Sequence, residues 1–241
     1  MNHNSRRLRA LLVAAIMGLV VPLSANNPRF GVVTVNYDPM HSQKTNALGA
    51  GSVRLGLDWF EIEPQQDQYN WATADTKMLE ASANGKQVLA TLAYSPLWAA
   101  QNGCGEDTEA GKPSSAHCFP WSVLDWQEFV FQVINRYNNI YGLTNITYGI
   151  WNEPNLHFLN DLPDASKWAQ LFIYADGART WADPNARLAG PETSHHAVIS
   201  NNYFFNALYA AWVAGAVRPQ DIITVHYYPD AQWTVGFYNT V

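Results

Sequence analysis

Ile150-Trp151-Asn152-Glu153-Pro154-Asn155 is the stretch around which the rest of the sequence is organised. It follows Asn145-Ile146-Thr147-Tyr148-Gly149, which is typical of a short buried strand ending in turn residues. Because Pro154 biases the preceding residue towards extended backbone, we expect the Glu153 carboxyl group at a strand end rather than in a helix. A carboxyl group there, beside an amide and an indole, is suited to proton transfer to a sugar oxygen. The alternative is a surface Glu where a strand exits into a loop.

Strands and helices alternate through most of the sequence. Buried strands are predicted to begin near residues 30, 53, 87, 146, 186 and 222, and the third, fifth and sixth of them are predicted to end at residues 93, 190 and 226. Helices are predicted at 41–48, 72–83, 123–141, 165–181 and 202–213. This alternation predicts a single α/β domain with a parallel sheet and right-handed crossovers.

The number of strands is too small for a closed barrel. A (β/α)8 barrel has eight strands in about 250 residues. Here the first and sixth strands begin 222 − 30 = 192 residues apart, and thirteen residues follow Tyr228. Together with the family resemblance of the stretch 151–155, this count implies a (β/α)8 TIM-barrel type that is truncated after about six strands and is incomplete at its C-terminus.

Trp151-Asn152-Glu153-Pro154-Asn155 closely resembles the acid/base segment at the end of the fourth strand in clan A retaining glycoside hydrolases. These (β/α)8 barrels include the cellulase-like family 5 and the xylosidase-like family 39, and the resemblance covers roughly residues 30–228. It implies that Glu153 is the general acid/base and that Asn152 holds the substrate 2-hydroxyl. It also implies hydrolysis of O-glycosidic bonds in a β-linked glycan or glycoside by retaining double displacement.

The resemblance places the nucleophile, a Glu, at the end of a seventh strand, which this sequence does not reach. Asp230 is the only acid between His226 and Val241, and it comes too early. We therefore expect the nucleophile to be absent from this chain and the chain to be a poor or inactive hydrolase. Glu192 is the remaining carboxyl group at a predicted strand exit. It would either contact substrate or be a solvated loop acid, and the second interpretation is favoured.

Further site residues are predicted at the ends of other strands. By the resemblance, Arg54 orients the catalytic carboxylate, and His226 with Tyr228 orients the nucleophile; the alternatives are a structural ion pair and a buried structural histidine. Trp98 or Tyr94 would stack on a sugar, or equally pack in the core or rim. The substrate-binding set is therefore Asn152, Arg54, Trp98, His226 and Tyr228.

One further segment supports the resemblance without implying catalysis. Glu61-Ile62-Glu63-Pro64 with Tyr69-Asn70-Trp71 resembles the clan's continuation of its second strand. Asp67-Gln68 stands where that pattern usually has glycine. We interpret this segment as structural packing under the barrel rim.

The N-terminus has the pattern of a signal peptide. Arg6, Arg7 and Arg9 precede an apolar run over 11–21, and a small residue, Ala25, follows. We expect residues 1–25 to be a signal peptide, 26–241 to be the barrel domain, and the protein to be secreted or periplasmic. The alternative is an uncleaved membrane anchor.

Cys104 and Cys118 are the only cysteines and lie within one loop rich in Gly, Ser and Pro. In an exported chain such a pair predicts a disulfide, with free thiols as the alternative.

Composition excludes several other functions. Net charge is −6 without a basic run, which argues against nucleic acid as a partner. No phosphate-binding glycine loop or metal-ligand motif is present, so we expect no cofactor and no metal. The expected partner is a carbohydrate substrate, with no stable membrane span after signal cleavage. The alternative function is a non-catalytic carbohydrate-binding barrel.

Overall fold

The chain folds around one sheet of six parallel strands. The computed structural model describes residues 27–101, 104, 111–156, 164–194 and 202–226. Neighbours in the sheet follow sequence order: β1 (Asn27–Thr34), β2 (Ala50–Asp58), β3 (Gln87–Ala93), β4 (Ile146–Ile150), β5 (Arg187–Ser194) and β6 (Ile222–His226). Such an order is that of consecutive strands in a (β/α)8 barrel. The predicted barrel type with about six strands is confirmed for the described residues, which form a curled, open half-barrel.

Helices connect the strands. They are α1 (Pro39–Ala47), α2 (Trp59–Ile62), α3 (Ala72–Ala83), α4 (Val123–Ile134), α5 (Ala165–Ala182) and α6 (Tyr203–Val213). The Asp38 carboxylate caps α1, since its Oδ1 accepts hydrogen bonds from the backbone N–H groups of Met40 and His41 at 2.9 and 3.0 Å. Gly49 and Gly85 follow α1 and α3 with φ of 71° and 65°, the left-handed conformation that commonly ends a helix.

Two helical segments differ from the prediction. The helix expected over 123–141 changes at Ile134 into a π-helical turn, Asn135–Ile140. In this turn Arg136 donates from Nε to Asp75 Oδ1 on α3 at 2.7 Å, which ties the two helices together. The short helix α2 was not predicted, because four residues are too few to show a helical period.

One face of the sheet packs in the hydrophobic core, and the other lines an open cleft. Val53, Leu55 and Leu57 of β2 are each at most 2% exposed and belong to the hydrophobic core. Residues that alternate with such positions point to the other side of the sheet. That side is a concave cleft to which every strand contributes; its lining includes Val33, Arg54, Leu89, Thr147, Arg187 and Thr224.

Aromatic residues fill the space next to the loop that follows α2. The Trp59 ring lies 5.7 Å from Trp126 and 5.3 Å from Phe129, measured between centroids. Glu63 is 2% exposed and accepts hydrogen bonds from Trp59 Nε1 at 2.7 Å and from the Asp67 N–H at 2.9 Å. Burial raises the pKa of Glu63. Asp67 has a φ of 60°, a left-handed conformation that glycine adopts more readily than other residues. These contacts agree with the structural role predicted for this loop.

Cys104 and Cys118 form a disulfide, with Cα atoms 5.8 Å apart. The bridge closes part of the long connection between β3 and α4.

Several predicted features lie outside the described residues. They are the signal peptide over 1–25, Tyr228 and Asp230. Within the described ranges, no helix has the length and apolar character needed to cross a bilayer.

Candidate active site

The polar residues of the predicted site converge where β4, β5 and β6 end. Asn152 and Glu153 follow β4, Glu192 lies near the end of β5, and His226 is the last residue of β6. Parallel strands bring their carboxyl ends to one edge of the sheet, which is where barrel active sites are built. Arg54 reaches this group from β2.

Glu153 is held by a histidine and still reaches solvent. Its Oε1 lies 2.9 Å from Nδ1 of His226, and its side chain is 13% exposed. A general acid must be fixed in position and must also touch the atom that receives its proton. The Glu153 carboxyl group meets both requirements.

The backbone around Glu153 is not extended as predicted. Trp151 and Glu153 have φ of 66° and 42°, so both adopt the left-handed region. The Glu153 N–H donates to the Glu192 carbonyl at 3.1 Å, and its own carbonyl accepts from the Leu156 N–H at 3.0 Å. The prediction from Pro154 was wrong because these bonds hold a sharp turn. Left-handed residues other than glycine cost about 1–3 kcal/mol each and cluster at functional sites.

Asn152 is oriented from both sides of its amide. Its Oδ1 accepts from Arg54 Nη2 at 2.8 Å, and its Nδ2 donates to the Tyr94 hydroxyl at 3.0 Å. Since a primary amide has two N–H donors, one remains for a ligand. Tyr94 is 8% exposed, and Nζ of Lys112 lies 3.5 Å from the centroid of its ring.

Glu192 occupies a different environment from the predicted one. It lies inside β5, is 0% exposed, and is neither a solvated loop acid nor open to a substrate. Arg54 donates to Glu192 Oε2 from Nε at 3.1 Å and from Nη2 at 2.5 Å, and the Thr91 hydroxyl donates to the same oxygen at 3.1 Å. The favoured interpretation was wrong because these donors compensate the burial of the carboxylate.

His226 lies between the two carboxyl groups. Nδ1 contacts Glu153, and Nε2 is 3.6 Å from Glu192 Oε2. Burial by itself lowers the pKa of His226, but the contacts with Glu153 and Glu192 outweigh it and leave that pKa above its ordinary value. Basic and acidic side chains therefore alternate across the site, in the order Arg54, Glu192, His226 and Glu153.

Trp98 is not part of this group. Its Nε1 donates to the Glu63 carbonyl at 2.9 Å, and its ring meets Trp59 edge-on at 5.7 Å between centroids.

The sequence analysis did not identify Thr91 or Gly149 as residues of the site, although a glycine inside an apolar strand is a signal of close packing. Among the residues described, no group of three or more potential metal ligands occurs.

The sequence matches one family model. Residues 112–238, more than half of the 241-residue chain, match the model of glycosyl hydrolases family 39. A comparison with curated proteins found no significant relative.

Solved structures with similar folds include family 39 enzymes. A monomeric beta-xylosidase from Caulobacter crescentus CB15 has 16% identity and a TM-score of 0.65 over 85% of this chain and 42% of its own. The GH39 enzyme from Xanthomonas axonopodis pv. citri has 18% identity and a TM-score of 0.59, over 84% and 42%. A glucosidase from Croceicoccus marinus has 14% identity and a TM-score of 0.60, over 85% and 44%. The chain thus spans less than half the length of these structures.

Proposed function

Because the chain belongs to glycosyl hydrolase family 39, we propose that it acts on β-linked glycans or glycosides and hydrolyses their O-glycosidic bonds. The observation that carries this proposal is the Glu153 carboxyl group, which is partly exposed at the end of β4 and held by His226. A carboxyl group in this position is available to a glycosidic oxygen above the strand ends.

The proposed mechanism is a retaining double displacement. Glu153 protonates the leaving oxygen while a second carboxylate attacks the anomeric carbon, and Glu153 then takes a proton from the water that releases the sugar. The free N–H of Asn152 is suited to hold a sugar hydroxyl, because Arg54 and Tyr94 fix the rest of the amide.

We place the nucleophile outside the six described strands. The one other carboxylate within the group is Glu192, which is 0% exposed and engaged twice by Arg54. A nucleophile must touch the anomeric carbon, with the two carboxyl groups about 5–5.5 Å apart. Glu192 is buried, and an imidazole separates it from Glu153.

We also propose that the protein is exported from the cytoplasm. The pattern over 1–25 supports a cleaved signal peptide and a secreted or periplasmic protein. The disulfide between Cys104 and Cys118 supports the same location, because disulfides persist in oxidising compartments.

Hydrolysis of aryl β-xyloside and aryl β-glucoside, followed by proton NMR of the first sugar released, tests the function. These two substrates are the first to assay because the similar folds include a beta-xylosidase and a glucosidase. We expect any longer product of the same reading frame to release the β-anomer first, and the 241-residue chain, whose nucleophile we expect to be absent, to give little or no turnover. The α-anomer forming first would exclude retention, whereas sugar binding without turnover would favour a non-catalytic carbohydrate-binding barrel.

A further inference from the structure

Glu192 is a buried carboxylate that the mechanism above does not use. It is 0% exposed, and its Oε2 accepts from Arg54 and from the Thr91 hydroxyl. A fully buried carboxylate is costly unless donors surround it. The chain has therefore placed three donor groups around a residue that cannot touch substrate.

The neighbouring strand leaves room for this carboxylate. A Cβ atom on Gly149 of β4 would lie 1.8 Å from Glu192 Oε1 and 2.9 Å from its Cδ. Gly149 pairs with Thr91 in β3 and with Ala189 in β5, so its backbone is held on both sides. Glycine in a strand interior weakens the strand and often marks a close approach. Here the approaching group is the Glu192 carboxylate.

Two contacts connect Glu192 to the exposed part of the site. Arg54 Nη2 contacts both Glu192 Oε2, at 2.5 Å, and Asn152 Oδ1, at 2.8 Å. His226 faces Glu192 with Nε2 at 3.6 Å and Glu153 with Nδ1 at 2.9 Å. Arg54, which holds Asn152, and His226, which holds Glu153, therefore each contact Glu192 as well.

We propose that Glu192 is a positioning residue, which fixes Arg54 and His226 and, through them, the amide of Asn152 and the carboxyl group of Glu153. Because Gly149 has no side chain, it leaves the space that the Glu192 carboxyl group occupies. The inference rests on the proposed function for its consequence in catalysis, but the arrangement of the five side chains stands on the geometry alone. The opposing account is a buried ion pair that only stabilises the sheet.

The test follows the imidazole of His226 by NMR of histidine-labelled protein over a pH range. Within the described part of the chain, Glu153, Glu192 and Arg54 are charged groups that face this ring. Glu192→Gln removes a negative charge beside Nε2 with little change in shape, so we expect the pKa of His226 to fall. Loss of one signal in His226→Gln assigns the resonance.

Asp221→Asn is the matched control. Asp221 is also a buried partner of an arginine, since its side chain is 5% exposed and pairs with Arg179. It accepts a hydrogen bond from the Leu188 N–H near the start of β5, which is at the other end of the strands from the candidate site. We expect Asp221→Asn to lower stability and to leave the pKa of His226 unchanged. Equal titration of His226 in wild type and Glu192→Gln would overturn the proposal.

Gly149→Ala is the second variant, because the new methyl group displaces the Glu192 carboxylate without altering its charge. We expect it to shift the His226 titration, and we expect no further shift when it is added to Glu192→Gln, since both act through one group. Unfolding of both single variants while Asp221→Asn stays folded would assign Glu192 to stability alone.

The measurement of kcat and KM requires that the proposed function is right, whereas the NMR titration of His226 does not. In the form that hydrolyses an aryl β-glycoside, we expect Glu192→Gln to lose about 10²-fold in kcat, as a small misplacement of catalytic groups does. We expect KM to change much less. Absence of turnover in every wild-type form, including any longer product of the same reading frame, would contradict the hydrolase, and the His226 titration would still decide the role of Glu192.

Discussion

The bond between Glu153 and His226 connects β4 to β6 and sets the protonation of the imidazole. Burial alone lowers the pKa of His226, but its contacts with Glu153 and Glu192 leave that pKa raised in the folded protein. The ordinary pKa of a histidine is about 6.5. A group whose pKa is raised by folding stabilises the fold below its unfolded pKa, and this contribution is lost as pH rises through the folded pKa.

We therefore expect His226→Gln to destabilise the protein more in acid than in base. Urea unfolding of wild type and variant at pH 5 and pH 9 gives the difference in unfolding free energy at each pH. That difference should be larger at pH 5, where the wild-type imidazole carries its charge next to Glu153 and Glu192. An equal difference at both values would show that the ring contributes by packing alone.

Some of the site was predictable residue by residue, and some was not. The sequence located Glu153, Asn152, Arg54 and His226, since each occurs at or near a predicted strand end or within a strand. It did not reveal the burial of Glu192, because Arg54, which pairs with that carboxyl group, is 138 positions away in the chain. It also did not reveal the left-handed backbone at Glu153, which depends on the carbonyl of Glu192 across the strand ends.

The elements follow the sequence more closely than the side chains do. Predicted strands at 87–93 and 222–226 agree with β3 and β6 at both ends. β5 runs on to Ser194 although the sequence predicts its end at Gly190. Pairing with β6 extends it, since Pro191, Thr193 and Ser194 all have partners there. Such partners are contributed by distant residues, which local patterns do not contain.

The connection between β3 and α4 carries a prediction about cysteines. The bond between Cys104 and Cys118 closes a loop with a sequence separation of 14. A crosslink that closes a loop of this size stabilises the folded protein by about 3 kcal/mol, because it restricts the unfolded chain. We expect the double variant Cys104→Ser, Cys118→Ser to lose up to that amount in urea unfolding.

Thiol counting checks the same bond directly. Non-reduced, denatured protein should contain no thiol that reacts with an alkylating reagent, and reduced protein should contain two, since the sequence has two cysteines. Two reactive thiols without reduction would contradict the bridge. Ser82→Ala, on α3 and away from this loop, serves as the stability control.

At the scale of the molecule, the described sheet has two edges. β1 pairs with β2 and β6 pairs with β5, and the described residues provide no strand beyond either. Val33 and Val225 on these edges are 69% and 46% exposed. Unpaired edges with apolar side chains favour association between chains.

We expect the 241-residue chain to self-associate and the pair of substitutions Val33→Lys and Val225→Lys to reduce this, because charge on an edge strand opposes pairing. Size-exclusion chromatography with light scattering measures the mass. Leu124→Lys, at a residue 61% exposed on α4, is the control that adds charge away from the edges. A monomeric wild type would contradict the prediction.

Export gives a prediction for the whole chain as well. If residues 1–25 are removed as a signal peptide, the mature protein begins near Asn26 or Asn27. Intact mass spectrometry of the exported protein measures this start. Exported material that retains Met1 would exclude cleavage.

Rescue of Glu153→Ala by azide tests most directly whether Glu153 is the acid/base. In the form that hydrolyses aryl β-glycosides, we expect this variant to lose about 10²–10⁴-fold on substrates with poor leaving groups. An activated aryl glycoside should still transfer its sugar to the enzyme, because its leaving group needs no proton. Azide should then restore turnover and yield the β-glycosyl azide, since an anion needs no general base. Unchanged hydrolysis by Glu153→Ala, or no product with azide, would contradict the role assigned to Glu153.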